Sequence, residues 1–262
     1  MISRSYLMEW AEVAPWRDMF QVEQDLIITR ALLDMYEHPD LRNLVAFRGG
    51  TALNKLFFNP PSRYSEDIDL VQLNQGPIGP ILDSIRGVLD PWLGKPKRTF
   101  SSGLGTLLYR MEGEDGNKLV LKVEINSREH FSVLGYQDYP FESHSSYASG
   151  NVIIKSYKME ELLGTKTRAV YQRRKGRDLF DLYTALTTMP DLNIDDILKC
   201  FVIYTDFVGT KISKSAFLAN MELKLKNEEF GKDIIPLLPR YAQSYDQDIA
   251  FELVREKLIE RL

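Results

Sequence analysis

Two acidic residues two positions apart, Asp67 and Asp69, stand in the segment Arg63-Tyr64-Ser65-Glu66-Asp67-Ile68-Asp69-Leu70. On an extended strand, side chains two apart leave from the same face, so both carboxylates point one way while Ile68 and Leu70 point into a core. Like charges that close repel unless a cation lies between them. A hard divalent ion such as Mg²⁺ suits two carboxylates and leaves positions for water and phosphate oxygens. Upstream, Phe47-Arg48-Gly49-Gly50-Thr51-Ala52-Leu53 supplies a complement. Two glycines let a backbone approach a ligand closely, and amides at the start of the helix that follows face an anion with the helix dipole behind them. No Gly-x-x-x-x-Gly-Lys-[Ser/Thr] run occurs, so this is not a Walker loop. Alone, the Asp pair reads as a solvated strand face and Gly-Gly-Thr as an ordinary turn. Together, in this order, they predict a metal–polyphosphate site, with Asp67 and Asp69 on the metal and Gly49, Gly50 and Thr51 under the phosphates.

A third acid is available in Leu119-Val120-Leu121-Lys122-Val123-Glu124-Ile125, where the odd-numbered residues form an apolar face and Lys122 and Glu124 share the other. If this strand neighbours the Asp67/Asp69 strand, Glu124 completes the metal cage or activates an attacking hydroxyl. A triphosphate also needs cations on its far side. Lys166 and Arg173 lie seven residues apart on one predicted helix and so share a face. Lysine suits a terminal phosphate as a point charge, whereas Arg48 or Arg63 would grip in forked geometry. The competing reading makes Lys166 an exposed helix lysine and pairs Asp178 and Asp181 with Arg174 and Arg177.

These residues need positioning elements. Phe20, Leu26, Ile27, Ala31, Leu32 and Met35 mark an amphipathic helix; 44–47 is a short apolar run stopped by the glycines, and 51–57 reads as a helix. Strands are expected around Ile68–Leu73, at 99–100, 104–111, 118–125 and 152–156, with a helix at 81–89 and a hairpin turn at 113–116. From residue 159 onward the period is helical, with helices at 159–172, 177–188, 193–208, 213–227 and 246–261. The expected fold class is α+β over residues 1–156, followed by a helical half over 157–262.

The 262 residues carry 33 Lys+Arg against 37 Asp+Glu, a net charge of −4, which argues against a chain uniformly coated in positive charge for nucleic acid. The charge is nevertheless segregated: residues 155–177 carry +6 and the remainder −10. That basic strip surrounds Lys166 and could guide an RNA backbone. The single cysteine, Cys200, excludes an internal disulfide and multi-cysteine zinc sites, and its apolar surroundings predict a buried thiol. The three histidines, His38, His130 and His144, lack ligand spacing, and Trp10, Trp16 and Phe20 read as core or interface. No run is apolar enough for a signal peptide or membrane span, so a cytoplasmic protein with no membrane partner is expected.

The Phe47–Leu53 and Arg63–Leu70 segments resemble those of AbiEii/AbiGii-type nucleotidyltransferase toxins, relatives of the mycobacterial MenT toxins. The resemblance continues in Glu160-Glu161-Leu162-Leu163-Gly164-Thr165-Lys166 and in Arg173-Arg174-Lys175-Gly176-Arg177-Asp178-Leu179-Phe180-Asp181-Leu182. It implies a polymerase-β-like nucleotidyltransferase fold with a mixed sheet, Mg²⁺ as cofactor, NTP as substrate, a cognate antitoxin, and a hydroxyl acceptor, foremost the 3′ end of tRNA. By motif, Ser65 matches the family's small hydroxyl, Asp67 and Asp69 its metal carboxylates, Lys166 its nucleotide-contacting lysine, and either Asp178 or Asp181 its late acid. The alternatives are transfer to a protein or small-molecule hydroxyl, and a non-catalytic nucleotide-binding module.

Overall fold

The computed structural model describes residues 2–242 and 245–262. These form two compact units, Met1–Phe131 with Tyr136–Tyr157, and Ser132–Gly135 with Lys158–Leu262.

The first unit begins with α1 (Arg4–Trp10), α2 (Met19–Glu37) and α3 (Leu41–Leu44). Strand β1 (Val45–Arg48) runs directly into α4 (Gly49–Ala52), which continues as a π-helical turn over Leu53–Phe57. Then come β2 (Asp67–Gln72), α5 (Gly79–Leu93), β3 (Lys97–Ser101), β4 (Leu104–Glu112), β5 (Lys118–Asn126), β6 (Tyr136–His144) and β7 (Ser149–Tyr157). The strands make one seven-stranded mixed sheet in the order β3-β4-β5-β2-β1-β7-β6. β2 pairs parallel to β5 and β1 parallel to β7, and the other neighbours are antiparallel. The consecutive strands β1 and β2 pair at the centre of the sheet, which sets the β1–α4 turn beside the Asp-x-Asp strand.

Alternation explains which face is core. Ile68 and Leu70 on β2, and Leu119, Leu121, Val123 and Ile125 on β5, are at most 1% exposed, so the residues between them must face the other way. Helix α2 packs against β5 and β7, and with Val22, Leu26, Ile28 and Leu32 all fully buried it is covered on more than one apolar stripe. Its polar residues are therefore partnered: Asp25 accepts from Trp10 Nε1 (2.9 Å) and Lys55 Nζ (2.8 Å), and Glu23 accepts from the Glu114 amide. Trp16 is core, edge-on to Tyr64.

Strand β6 and helix α1 have no counterpart in the periodicity. β6 is an edge strand, mostly exposed and interrupted by Pro140, and only an edge tolerates a residue with no amide to donate.

The second unit contains α6 (Met159–Gln172), α7 (Gly176–Thr188), α8 (Ile194–Phe207), α9 (Lys214–Leu225), α10 (Glu228–Lys232) and α11 (Gln247–Lys257). Asn193 and Ser213 cap α8 and α9, taking up orphan amides with their side-chain oxygens. Gly164 lets α6 and α8 touch: a Cβ there would lie 2.5 Å from Cys200 Cβ. Cys200 is fully buried, and burial pushes its thiol up to about 12. The segment Ser132–Gly135 belongs to this unit because Glu161 holds it. The fully buried Glu161 carboxylate accepts from Ser132 Oγ (2.6 Å), the Val133 and Leu134 amides (2.8 and 2.9 Å) and Tyr204 Oη (2.7 Å). Among the described residues no helix is long and apolar enough to cross a membrane.

Candidate active site

The sheet register brings the three predicted carboxylates together. Asp67 lies opposite Lys122, and Asp69 opposite both Glu124 on β5 and Arg48 on β1. Asp67, Asp69, Lys122 and Glu124 thus leave from the face opposite the core. Lys122 Nζ bridges two of the acids, 2.9 Å from Asp67 Oδ2 and 3.1 Å from Glu124 Oε2. Burial pulls against the ammonium's charge, but the two carboxylates outweigh it and raise its pKa. Asp69 is the strained member. Burial first, then the charges of Asp67 and Glu124, push its carboxyl above the usual range, and Arg48 only partly offsets them.

This donor set fits a divalent cation. Three acids share one face, one of them is held at raised pKa by burial and by the charges of the others, and a lysine ammonium already stands as a cation between two. Among the described residues no three such side chains close around a single point.

The glycine turn is built against these acids. Gly49 has φ +81°, a left-handed conformation, and a Cβ there would lie 2.2 Å from Asp69 Oδ2. At Gly50 a Cβ would lie 2.4 Å from Arg63 Nη2. The first requirement on both glycines is therefore close approach by protein side chains. Gly49→Ala is expected to cost about 1–3 kcal/mol of stability through the backbone alone, and to displace Asp69 with near-total loss of transfer. Thermal melts and transfer assays on the same preparation check both.

The loop between the motifs is pinned from below. Asn54, in the π turn, donates to the Gly50 carbonyl (2.9 Å) and accepts from the amides of Ser62 and Arg63 (3.0 and 3.1 Å). Thr51 Oγ1 lies 2.8 Å from Ser65 Oγ and 2.5 Å from the Asp67 carbonyl oxygen, joining the anion turn to the start of β2. Gln24 donates to the Glu66 carbonyl (3.2 Å) and the Val120 carbonyl (2.9 Å), one residue before Asp67 and two before Lys122. Neither Asn54 nor Gln24 belongs to a recognisable pattern, since their partners are set by the fold.

Arg48 and Arg63, either of which could grip a phosphate in forked geometry, both meet protein groups. Arg63 is 2% exposed, and its Nη1 donates to the Tyr64 carbonyl. Arg48 donates to Glu129 (2.7 Å), which Asn126 also contacts.

In the second unit Lys166 is buried, which overturns the exposed-lysine reading. Its ammonium lies 3.0 Å from Asp178 and 2.9 Å from Asp181, and both aspartates are fully buried. Arg173 grips Asp178 with two bonds of 2.6 and 2.7 Å. Burial opposes the Asp178 charge, but Lys166 and Arg173 outweigh it and hold the carboxyl far below the usual range. In the competing reading Asp178 and Asp181 pair with Arg174 and Arg177; Asp178 pairs with Lys166 and Arg173, and Arg177 also reaches Asp233. Lys224 donates to the Val170 and Tyr171 carbonyls at the end of α6, where burial lowers its pKa to about 8.

Residues 30–253 match the family described as nucleotidyl transferase AbiEii toxin, type IV TA system. The chain belongs to that family. It is accordingly a nucleotidyltransferase toxin of a type IV toxin–antitoxin system, which implies an NTP substrate and a cognate antitoxin. The solved structure of MenT4, a nucleotidyltransferase toxin from Mycobacterium tuberculosis, shares the fold: TM-score 0.72 at 15% identity, covering 100% of this chain and 91% of that one. JHP933 from Helicobacter pylori gives a TM-score of 0.48 at 17% identity, over 94% of this chain and 96% of that one. An antigenic nucleotidyltransferase-like protein from Paracoccidioides brasiliensis gives 0.44 at 19%, over 82% and 94%. No curated protein matches the sequence.

Proposed function

We propose that this AbiEii-family enzyme is Mg²⁺-dependent and transfers NMP from an NTP to a hydroxyl, that of the tRNA 3′ end. The observation that carries the metal reading is the set of three carboxylates on one face of β2 and β5, beside the Gly49–Gly50 turn. Asp67, Asp69 and Glu124 would hold the ion, which supplies charge neutralisation for the triphosphate and the departing pyrophosphate. The amides of Gly50 and Thr51 orient phosphate oxygens, Ser65 fixes the turn against β2 through Thr51, and Arg48 balances charge at Asp69. Arg63, being interior, supports Gly50 rather than touching solvent. The acceptor hydroxyl gives its proton to a carboxylate of this set, Glu124, or to solvent as its oxygen bonds to the α-phosphorus and the bond to pyrophosphate breaks, so that positioning and electrostatics carry most of the acceleration. Lys166 is assigned to the nucleotide, and Asp178 and Asp181 to holding Lys166, on the motif resemblance together with their mutual ion pairs.

The tRNA acceptor rests on the resemblance to toxins that modify that end. The basic strip does not add to it. Lys166, Arg173, Lys175 and Arg177 are each paired with Asp178, Asp181 or Asp233, and Lys155 with Asp138.

The test is incubation with total RNA and each α-labelled NTP, with Mg²⁺ or with EDTA. The expected product is nuclease-sensitive label of tRNA length, absent with EDTA. Label that survives nuclease but not protease would move the acceptor to protein. Absence of both label and pyrophosphate release under every NTP would leave a nucleotide-binding module.

A further inference from the structure

We propose that Lys122 is a built-in competitor of the divalent cation: its ammonium ties Asp67 to Glu124 and must leave them before both can coordinate an ion. The inference rests on the reading of those acids as metal ligands, and it concerns how the ion is admitted. Lys122 Nζ stands 2.9 Å from Asp67 Oδ2 and 3.1 Å from Glu124 Oε2. The parallel register of β2 and β5 fixes this, since Asp67↔Lys122 and Asp69↔Glu124 are successive same-face pairs. The lysine cannot turn to the other face without breaking the ladder.

An ammonium there occupies space between two ligands and neutralises much of the field that would attract a divalent ion. It is also free to go. The side chain is 32% exposed, and a four-carbon stem carries a compact charge that re-aims without loss of planar geometry. Lys166 and Lys224, by contrast, are buried among fixed partners. Displacing Lys122 costs its two ion pairs unless another anion receives it, and a triphosphate arriving with the ion is such an anion. The enzyme would therefore take up the divalent cation weakly by itself and strongly with NTP, with Lys122 coupling the two events.

The experiment titrates Mn²⁺ into the full-length protein and reads the free ion by electron paramagnetic resonance, with and without a non-hydrolysable NTP analogue. Without nucleotide, Lys122→Met should bind Mn²⁺ on the order of tenfold tighter than wild type, while Lys122→Arg should stay near wild type. The analogue should strengthen Mn²⁺ binding more in wild type than in Lys122→Met. Lys122→Gln repeats the measurement if the Met variant lacks a native melt. Equal or weaker Mn²⁺ binding in both neutral variants, with binding lost in Asp67→Asn, would overturn the role of Lys122 and leave the metal ligands standing. Binding in Asp67→Asn equal to wild type would instead overturn the ligand reading itself.

Discussion

Asp69→Asn is expected to abolish nucleotidyl transfer while raising the melting temperature of the metal-free protein. The loss follows from removing a carboxylate between Asp67, Glu124 and the Gly49 turn, and should be on the order of 10³-fold or more. The gain follows from electrostatics. Burial and the neighbouring acids raise the Asp69 pKa above its unfolded value. A raised carboxyl contributes stability that is full below the unfolded pKa, about 3.9, and is lost as pH rises through the native value. At neutral pH the ionised group is therefore a net cost, which Asn, of the same shape and without charge, removes. If the relief is about 1 kcal/mol, the melt should rise by roughly 2–4 °C for a chain of this size, and stability should depend less on pH above the carboxylate range. Asp67→Asn serves as the contrast. Asp67 is one-third exposed and paired with Lys122, so its loss should abolish transfer yet leave the melt nearly unchanged, as exposed pairs contribute about 0–1 kcal/mol. Calorimetric scans at pH 5 and 8 with EDTA, alongside label transfer with Mg²⁺, distinguish the two. A lower melt for Asp69→Asn would show that its charge is already balanced within the protein.

The central strands and the helical half could be read from periodicity because their burial is simple. β5 alternates core and non-core residues along its length, as β2 does from Asp67 to Leu70, and α8 buries one stripe. The face shared by Asp67 and Asp69 followed from the two-residue period alone. The partnership with Glu124 did not, because β2 and β5 are some fifty residues apart in the chain and only the parallel register makes them neighbours. β6 was invisible for the opposite reason: an exposed edge strand with a proline buries too little to impose alternation. Residues that act through backbone carbonyls, Gln24 and Asn54, carry no spacing signal at all. Lys166 shows where charge counting fails. Eight basic residues between 155 and 177 suggested an open electropositive strip, yet Lys166 is buried against acids from α7 and the exposed Arg173 is tied to one of them. A buried cation must find a partner inside the fold, and sequence gives no indication of which cations are buried.

That matching makes Asp178 the second site of large effect. Asp178→Ala should destabilise the protein by about 3–5 kcal/mol, since it leaves Lys166 buried with half its partners and takes the anchor from Arg173. The effect should depend on pH with the sign opposite to Asp69. The native Asp178 carboxyl is held far below the usual range by Lys166 and Arg173. Its contribution is therefore full above the unfolded pKa and begins to be lost as pH falls below about 4. The variant should accordingly be much weaker than wild type at pH 7 and converge on it in acid. Lys166→Met strands no cation but takes the shared ammonium from two buried carboxylates, so a melt damaged at least as much as that of Asp178→Ala is expected. The Lys166→Met/Asp178→Ala double variant should be more stable than the two single losses added together. Denaturant titrations at pH 7 and 4 measure the coupling. Transfer rates measured well below each variant's melting midpoint then separate an acid needed to hold Lys166 from one needed only to hold the helices. If Asp178→Ala kept wild-type stability at pH 7, the ion pairs of α6 and α7 would be reporting exposure to water rather than a buried network.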